Sequence, residues 1–339
     1  MLQLLLLVAL TAAGVLATPV TAQTLTDAEV GSRPNADGPA DIVKVRFGLV
    51  DIVSIDDRQQ QFNVDAFVEL QWHDPRLADP SLGKSELRTM AGSRIWTPRL
   101  LILNNRGLQH LLPDVVSVDH RGNVVLRQRL AGPLATDLKL RDFPFDTQDL
   151  VIDVVSYQYT PKELVFDDGS EIIANPGEFR SKGWTFEVLE PEYSEYRLVE
   201  DGEGTSLLRF TIRSERRSGF YVLTLALPMT LVLFLAWLVH WLPPTVIPPR
   251  IGMSSATVFS VIALGVSVRL TLPAIDYLTR ADRFVVFTTL LVALSLAVTV
   301  LTSTWASGEK EEAAERLSRR MRYLFPMTYA AIIVLTLAV

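Results

Sequence analysis

Four long apolar runs in the last 120 residues constrain this chain more than any other feature. Residues 220–241 carry one ionisable side chain, His240, near their end. Residues 251–270 are bracketed by Arg250 and Arg269, residues 284–305 have no charge, and residues 321–339 have only Arg322. At a helical rise of 1.5 Å per residue, each run can cross a hydrocarbon layer of roughly 30 Å. Spans are therefore expected at about 220–241, 251–271, 284–305 and 321–339, within a membrane domain covering 218–339.

The N-terminus holds a shorter apolar run, residues 2–17, followed by the small residues Val20-Thr21-Ala22. This is the pattern of a signal peptide over residues 1–22, cleaved after Ala22; an uncleaved anchor is the alternative. Residues 23–217 would then be exported, and an even number of spans would return the C-terminus to the same side. The basic group Lys310, Arg316, Arg319, Arg320 and Arg322 suits an inner loop. From Thr245 onward the net charge is +3, leaving −9 for the head, so a nucleic-acid partner is not expected. With no cysteine there is no disulfide framework, thiolate nucleophile or Cys-ligated metal.

Across residues 42–213 the periodicity is mostly two. Residues 62–72, 122–130 and 207–212 alternate apolar and polar side chains, and turn signals such as Asp56-Asp57 and Asp167-Asp168-Gly169 separate the runs. An all-β, immunoglobulin-like sandwich of about ten strands is the simplest fold, with residues 24–40 as a loose lead. Four histidines occur without a metal-binding spacing, and there is no nucleophile elbow or phosphate loop. The paired carboxylates read as solvated turns. Neither an enzyme nor a cofactor is implied.

The second apolar run differs from the others in holding Ser254, Ser255, Thr257, Ser260 and Ser267. A helix shielded from lipid and facing water on one side tolerates such hydroxyls. Back-bonding within a packed bundle is the alternative.

Five motifs stand in order along the chain. They are Trp72-His73-Asp74, Trp96-Thr97-Pro98 with Asn104-Asn105, Phe143-Pro144-Phe145-Asp146-Thr147-Gln148, Ser156-Tyr157-Gln158-Tyr159, and Pro248-Pro249-Arg250 spaced to Leu272-Pro273, with Leu227-Pro228-Met229 inside the first span. Together they resemble the pentameric ligand-gated ion channels, or Cys-loop receptors. The two cysteines of animal members fall on Thr136 and Leu150, so the likeness is to the Cys-less prokaryotic type. It covers roughly residues 42–339.

The resemblance implies that Pro144 sits in a tight turn after an aromatic residue, a context that favours a cis bond. Asp146 at the membrane end of the sandwich would pair with Arg216, with Asp57 as a second acid, and this contact would couple agonist binding to the pore. A structural salt bridge at a domain junction is the plainer reading. The family's spacing lines the pore with Gly252, Ala256, Phe259, Ala263, Val266 and Leu270, in steps of 4, 3, 4, 3 and 4 that keep one helical face. Hydrophilicity alone would choose Thr257, Ser260, Ser267 and Thr271; the anchors Arg250 and Pro273 favour the first register. Phe259 would close the pore by dewetting.

No Asp or Glu occurs between Glu215 and Asp276. Rings of Arg250 at the inner mouth and Arg269 at the outer one would favour anions such as chloride, unless Asp276 neutralises Arg269. By position, Tyr157, Leu103 and Tyr196 would form one side of an agonist site between subunits, and Phe67 with Arg127 the other. The aromatic faces and the acidic loop 200–203 would suit a cationic amine, or would sense protons. The expected protein is a homopentameric ligand- or proton-gated channel in a bacterial-type inner membrane. Its partners would be a small agonist or protons, permeant ions and lipid. A cation-selective channel, a non-conducting anchored sensor and, third, a hydrolase are the competitors.

Overall fold

The computed structural model describes residues 25–339 apart from 199, 201, 271, 272, 309 and 339. The expected signal peptide and its cleavage site therefore lie outside the described residues, as do Val199 and Asp201 of the acidic loop and Thr271 and Leu272 of the second span.

The head is a two-sheet sandwich of thirteen strands rather than ten, several of them only two to five residues long. Strands β1 (Asp41–Asp56), β2 (Gln61–His73), β3 (Arg88–Ala91), β5 (Gln109–His110), β6 (Val115–Val118), β7 (Asn123–Ala135), β9 (Leu164–Phe166) and β10 (Glu171–Ala174) form one sheet, whose main path runs β10-β1-β2-β7-β6-β3. Strands β4 (Leu100–Ile102), β8 (Thr147–Ser156), β11 (Trp184–Val188), β12 (Glu192–Tyr196) and β13 (Thr205–Arg216) form the other, along β11-β13-β8-β4. Alternation along β1 and β2 buries Val43, Val45, Phe47 and Leu49 with Phe62, Val64 and Ala66. Phe47 meets Phe210 of the opposite sheet at 5.7 Å between ring centroids.

Two of the motifs prove to be core architecture. Trp72 packs edge-on against Trp96 at 6.1 Å, and the Trp96 indole N–H donates to the Tyr159 hydroxyl at 2.8 Å. Asp74 is fully buried and accepts two bonds from the Arg76 guanidinium, each 2.8 Å.

The lead is not loose. Helix α1 (Asp27–Gly31) is closed by a capping box between Thr26 and Glu29. The Arg76 guanidinium donates to the Glu29 carbonyl at 3.0 Å, fixing α1 to the sandwich. Residues 33–41 then wrap around Arg33, which donates to the carbonyls of Ala36, Gly38 and Pro39 and to Asp41.

Four helices follow: α2 (Gly219–Leu238), α3 (Ile247–Arg269), α4 (Arg280–Ala306) and α5 (Glu311–Ala338). Among the described residues, α2 extended to Trp241, α3 and α4 are long and apolar enough to cross a membrane, and α5 completes a four-helix bundle. Helix α3 begins four residues earlier than expected, because Pro248 and Pro249 fall in its first turn, where their missing N–H groups cost nothing. Helix α5 begins ten residues earlier. Its charged first turns still present Ala314, Ser318, Met321 and Phe325 inward at helical spacing, so an apolar run underestimates its length.

Candidate functional site

The junction between sandwich and bundle is built around Arg216, the last residue of β13. Its side chain is 1% exposed. The guanidinium donates to Asp146 at 2.8 and 3.1 Å and to Asp57 at 2.7 and 2.9 Å. The rings of Trp184, Phe143 and Tyr221 surround it at 4.1, 5.0 and 5.4 Å from its central carbon. Burial alone would make this cation easier to deprotonate; the hydrogen bonds and charges of Asp57 and Asp146 outweigh it and push its pKa up. Three of the four residues expected here, Asp57, Asp146 and Arg216, meet at one place; Pro144 follows Phe143 through a cis peptide and faces Val222 and Phe284 of the membrane helices across a small cavity.

Sequence reasoning missed three parts of this junction. Trp184 arrives because β11 pairs with β13 so that Trp184 faces Arg216 across the ladder; no local pattern announces that pairing. Gln148 ties the loop between Thr136 and Leu150 together, accepting from Lys139 N at 2.8 Å and donating to Lys139 O at 3.0 Å. The loop after α3 and the first turn of α4 complete the contact from the membrane side. Arg280 pairs with Asp142 at 2.8 Å, the Tyr277 hydroxyl accepts from Leu140 N at 3.0 Å, and Ala281 N donates to the Phe143 carbonyl.

Along α3, Gly252, Ala256, Phe259, Ala263, Val266 and Leu270 all lie exposed on one side of the subunit, Phe259 at 72%. Ser260, Ile262 and Ser267 flank this stripe. Thr257 does not belong to it. It is buried, its hydroxyl donating to the Ser254 carbonyl at 2.8 Å. Ser254, also buried, donates to Thr299 of α4 at 3.3 Å. The hydrophilic register therefore fails at Thr257, and much of the hydroxyl content of α3 and α4 is back-bonded inside the bundle.

The two arginines expected as charge rings are placed differently. Arg250 is 0% exposed and points into the bundle, donating to Thr302 and Ser318, each at 3.2 Å. The reason is rotational: at 3.6 residues per turn, a residue two before Gly252 points roughly to the opposite side of the helix. An Arg250 ring in the lumen is thus corrected. Arg269 stays half-exposed but pairs with Asp282 at 3.0 Å, not with Asp276. Asp282 also completes the capping box of α4 with Thr279.

Tyr157 and Leu103 are exposed just beyond β8 and β4 of the smaller sheet, and Tyr196 is the last residue of β12. Phe67 and Arg127 lie on the larger sheet. Both are engaged within the subunit: Arg129 covers the Phe67 ring at 5.3 Å, and Arg127 pairs with Glu69 at 2.6 Å. Burial would raise the Glu69 pKa, but Gln71, Arg127 and Arg46 hold it below the ordinary carboxylate value. The carboxylate pairs elsewhere act as turns: Asp56 accepts from Arg58 N and Gln59 N, and Asp167 from Gly169 N.

Comparison with known proteins agrees with this geometry. Residues 20–200 match the family model described as the neurotransmitter-gated ion-channel ligand binding domain, and residues 225–336 match its transmembrane region. A proton-gated ion channel from Gloeobacter violaceus is 25% identical over 298 residues, covering 87% of this chain and 82% of that relative.

Proposed function

The chain belongs to the neurotransmitter-gated ion channels, a family of membrane channels and not of enzymes, and on that premise we propose that five copies form a pore gated by protons or a small agonist. The observation that carries this reading is the uncharged stripe from Gly252 to Leu270, which a lone subunit leaves exposed over the length of α3. Five such stripes facing one axis would enclose a narrow apolar lumen. Phe259 would be its gate, closing by exclusion of water.

Agonist would bind between sandwiches, with Tyr157, Leu103 and Tyr196 of one subunit opposite Phe67 and Arg127 of the next. The name of the Gloeobacter relative supports protons as the stimulus. Either ligand acts only through unequal affinity for the closed and open states. The Arg216 cage would carry that difference to α2 and, through Ala281 and Arg280, to the loop after α3.

Selectivity for anions rests on Arg269 and on the absence of any Asp or Glu from 216 to 275. A cation-selective pore is the second reading, favoured by the Arg269–Asp282 pair and by the inward turn of Arg250. Reversal potentials in planar bilayers under a chloride gradient decide between them. Reversal near the chloride equilibrium supports the anion reading, and reversal near the cation equilibrium replaces it with the second. Phe259→Ala is expected to raise the unstimulated current about tenfold, equivalent to roughly 1.4 kcal/mol of lost closed-state preference. An unchanged closed state would remove Phe259 as the gate.

A further inference from the structure

Arg250 stands in the first turn of α3, at the end of the bundle away from the sandwich, with its side chain wholly enclosed. Nη2 donates to the hydroxyls of Thr302 and Ser318, while Nε and Nη1 are buried without an acceptor. An arginine keeps its proton inside a protein, and an enclosed cation costs far more than two hydroxyl contacts return. No carboxylate makes up the difference. Helices α2 and α3 contain no Asp or Glu, Asp282 caps the opposite end of α4, and Glu311, Glu312 and Glu315 of α5 are exposed.

The surroundings add positive charge instead. The first turn of α3 is the positive end of that helix's dipole. Arg322 of α5, one turn beyond Ser318, donates to the His240 carbonyl at 3.1 Å and lies over Trp241, and it too has no acid among the described residues. A further donor stands next to Thr302. Ser303 is the one buried hydroxyl of α4 without a partner among the described residues. Thr288, Thr299 and Thr302 donate to carbonyls of their own helix, and Ser295 meets His240. Buried donors left open in this way, on a cation without a counter-charge, call for an anion.

We propose that Arg250 is the centre of an anion site inside each subunit, between α3, α4 and α5, for a small monovalent ion such as chloride. Nε and Nη1 donate to the ion in charge-assisted bonds, and Ser303 adds its hydroxyl. Both nitrogens are enclosed, which favours a bare ion over the phosphate of a lipid. The site lies on the side of α3 away from the exposed stripe, so it is separate from the proposed lumen. Its ion cancels the charge of Arg250 there.

The test is thermal unfolding of the full chain in phosphatidylcholine nanodiscs at neutral pH, with sodium gluconate exchanged for sodium chloride or bromide at constant ionic strength. The wild type is expected to gain about 2 °C on exchange, as a ligand of the folded state gives. Arg250→Gln is expected to melt near the wild type in gluconate and to lose the halide gain, whereas Arg269→Gln keeps it. Sulfate, which acts by exclusion from the whole surface, is expected to raise the wild type and Arg250→Gln equally. Should Arg250→Gln misfold, Ser303→Ala is expected to raise the half-saturating halide concentration about threefold, the loss of one hydrogen bond. In crystals grown with bromide, an anomalous peak is expected against Nε and Nη1 of Arg250. A halide gain that survives Arg250→Gln, or an unchanged half-saturation in Ser303→Ala, would place the ion elsewhere and overturn the site. No halide gain in the wild type would also overturn it; a gain from added phosphatidylglycerol in its place would make a lipid phosphate the counter-charge. The readout is stability and not current, so a failed pore assignment leaves it intact.

Discussion

Two arginines are buried in this subunit, and the protein treats them in opposite ways. At the junction, Arg216 is enclosed by two carboxylates and three aromatic rings, with four hydrogen bonds of 2.7 to 3.1 Å. At the other end of the bundle, Arg250 has only two hydroxyl partners at 3.2 Å, while its Nε and Nη1 have none. Water-facing strands can supply acids to a buried cation, because those acids are soluble before folding. The helices around Arg250 present none to it: α2 and α3 carry no Asp or Glu, and the acids at the start of α5, Glu311, Glu312 and Glu315, are exposed. The first arginine is thus a fixed point whose removal exposes its partners' charges, and the second is a cation held by weak contacts alone.

This difference is sharpest if each arginine is replaced by methionine. Arg216→Met strands two carboxylates, one of them 1% exposed, and is expected to cost about 3–5 kcal/mol, the usual penalty for removing one partner of a buried pair. Thermal melts of the detergent-solubilised oligomer would register it as the largest loss in stability of any substitution considered. A melt unchanged by Arg216→Met would mean that the cage carries no weight. Arg250→Met strands only hydroxyls, and removing a poorly compensated buried charge offsets the lost bonds. Its stability is expected to stay within about 1 kcal/mol of wild type, the range of a single net hydrogen bond. A loss as large as that of Arg216→Met would erase the contrast.

The two arginines near the ends of α3, Arg250 and Arg269, separate packing from permeation. Arg269 borders the exposed stripe and Arg250 does not, so Arg269→Gln is expected to shift the reversal potential further than Arg250→Gln. An equal shift would return Arg250 to the lumen.

A buried acid in the sandwich supplies the smallest effect. Asp41 is 2% exposed, bonded to Arg33 and Asn35, with Asp74 as a like charge nearby. Burial raises its pKa, Arg33 and Asn35 lower it in part, and Asp74 raises it further, leaving it above the ordinary value of 3.8. The N-terminal lead docked on the sandwich therefore binds a proton more tightly than the released one. Its stability is greatest below 3.8 and declines as pH rises through the raised pKa, then stays constant. Each pH unit by which the folded value exceeds the released one is worth about 1.4 kcal/mol of that decline. Hydrogen exchange of residues 25–40 measured across this window should show weaker protection at the higher pH, and Asp41→Asn should flatten the profile. Stronger protection on raising the pH would reverse the sign.

What could be read in advance follows the same division. The Arg216 contact was legible because its acids sit in recognisable turns and motifs, and the exposed stripe because the family resemblance, anchored on Arg250 and Pro273, chose between two helical registers. Arg250 was misplaced although the same arithmetic applied to it: two residues from Gly252 is the far side of the helix. The hydroxyls of α3 were ambiguous for a chemical reason, since Thr257 can satisfy its donor on the Ser254 carbonyl as well as on water. Helix α5 outran its apolar segment because amphipathic charge hides a helix from a hydropathy count. The engagement of Phe67 by Arg129 and of Arg127 by Glu69 depends on strand register, which the alternation of single strands does not give.

The hydroxyls buried between α3 and α4 have a mechanical consequence. Thr299 donates to Ser295 O, Thr302 to Val298 O, Thr288 to Phe284 O, and Thr257 to Ser254 O, each within its own helix. Such side chains have already committed their donors, so between the apolar contacts of Val261 with α4 the two helices are cross-linked only by the 3.3 Å Ser254–Thr299 bond, the long Arg250–Thr302 contact and, at the far end, the 3.0 Å Arg269–Asp282 pair among the described residues. Two rods with that finish behave as a bearing: one can turn or tilt against the other while every hydrogen bond along its own length stays closed. Friction in the moving part would then be set by the stiff cage at the junction, leaving α3 free to follow it.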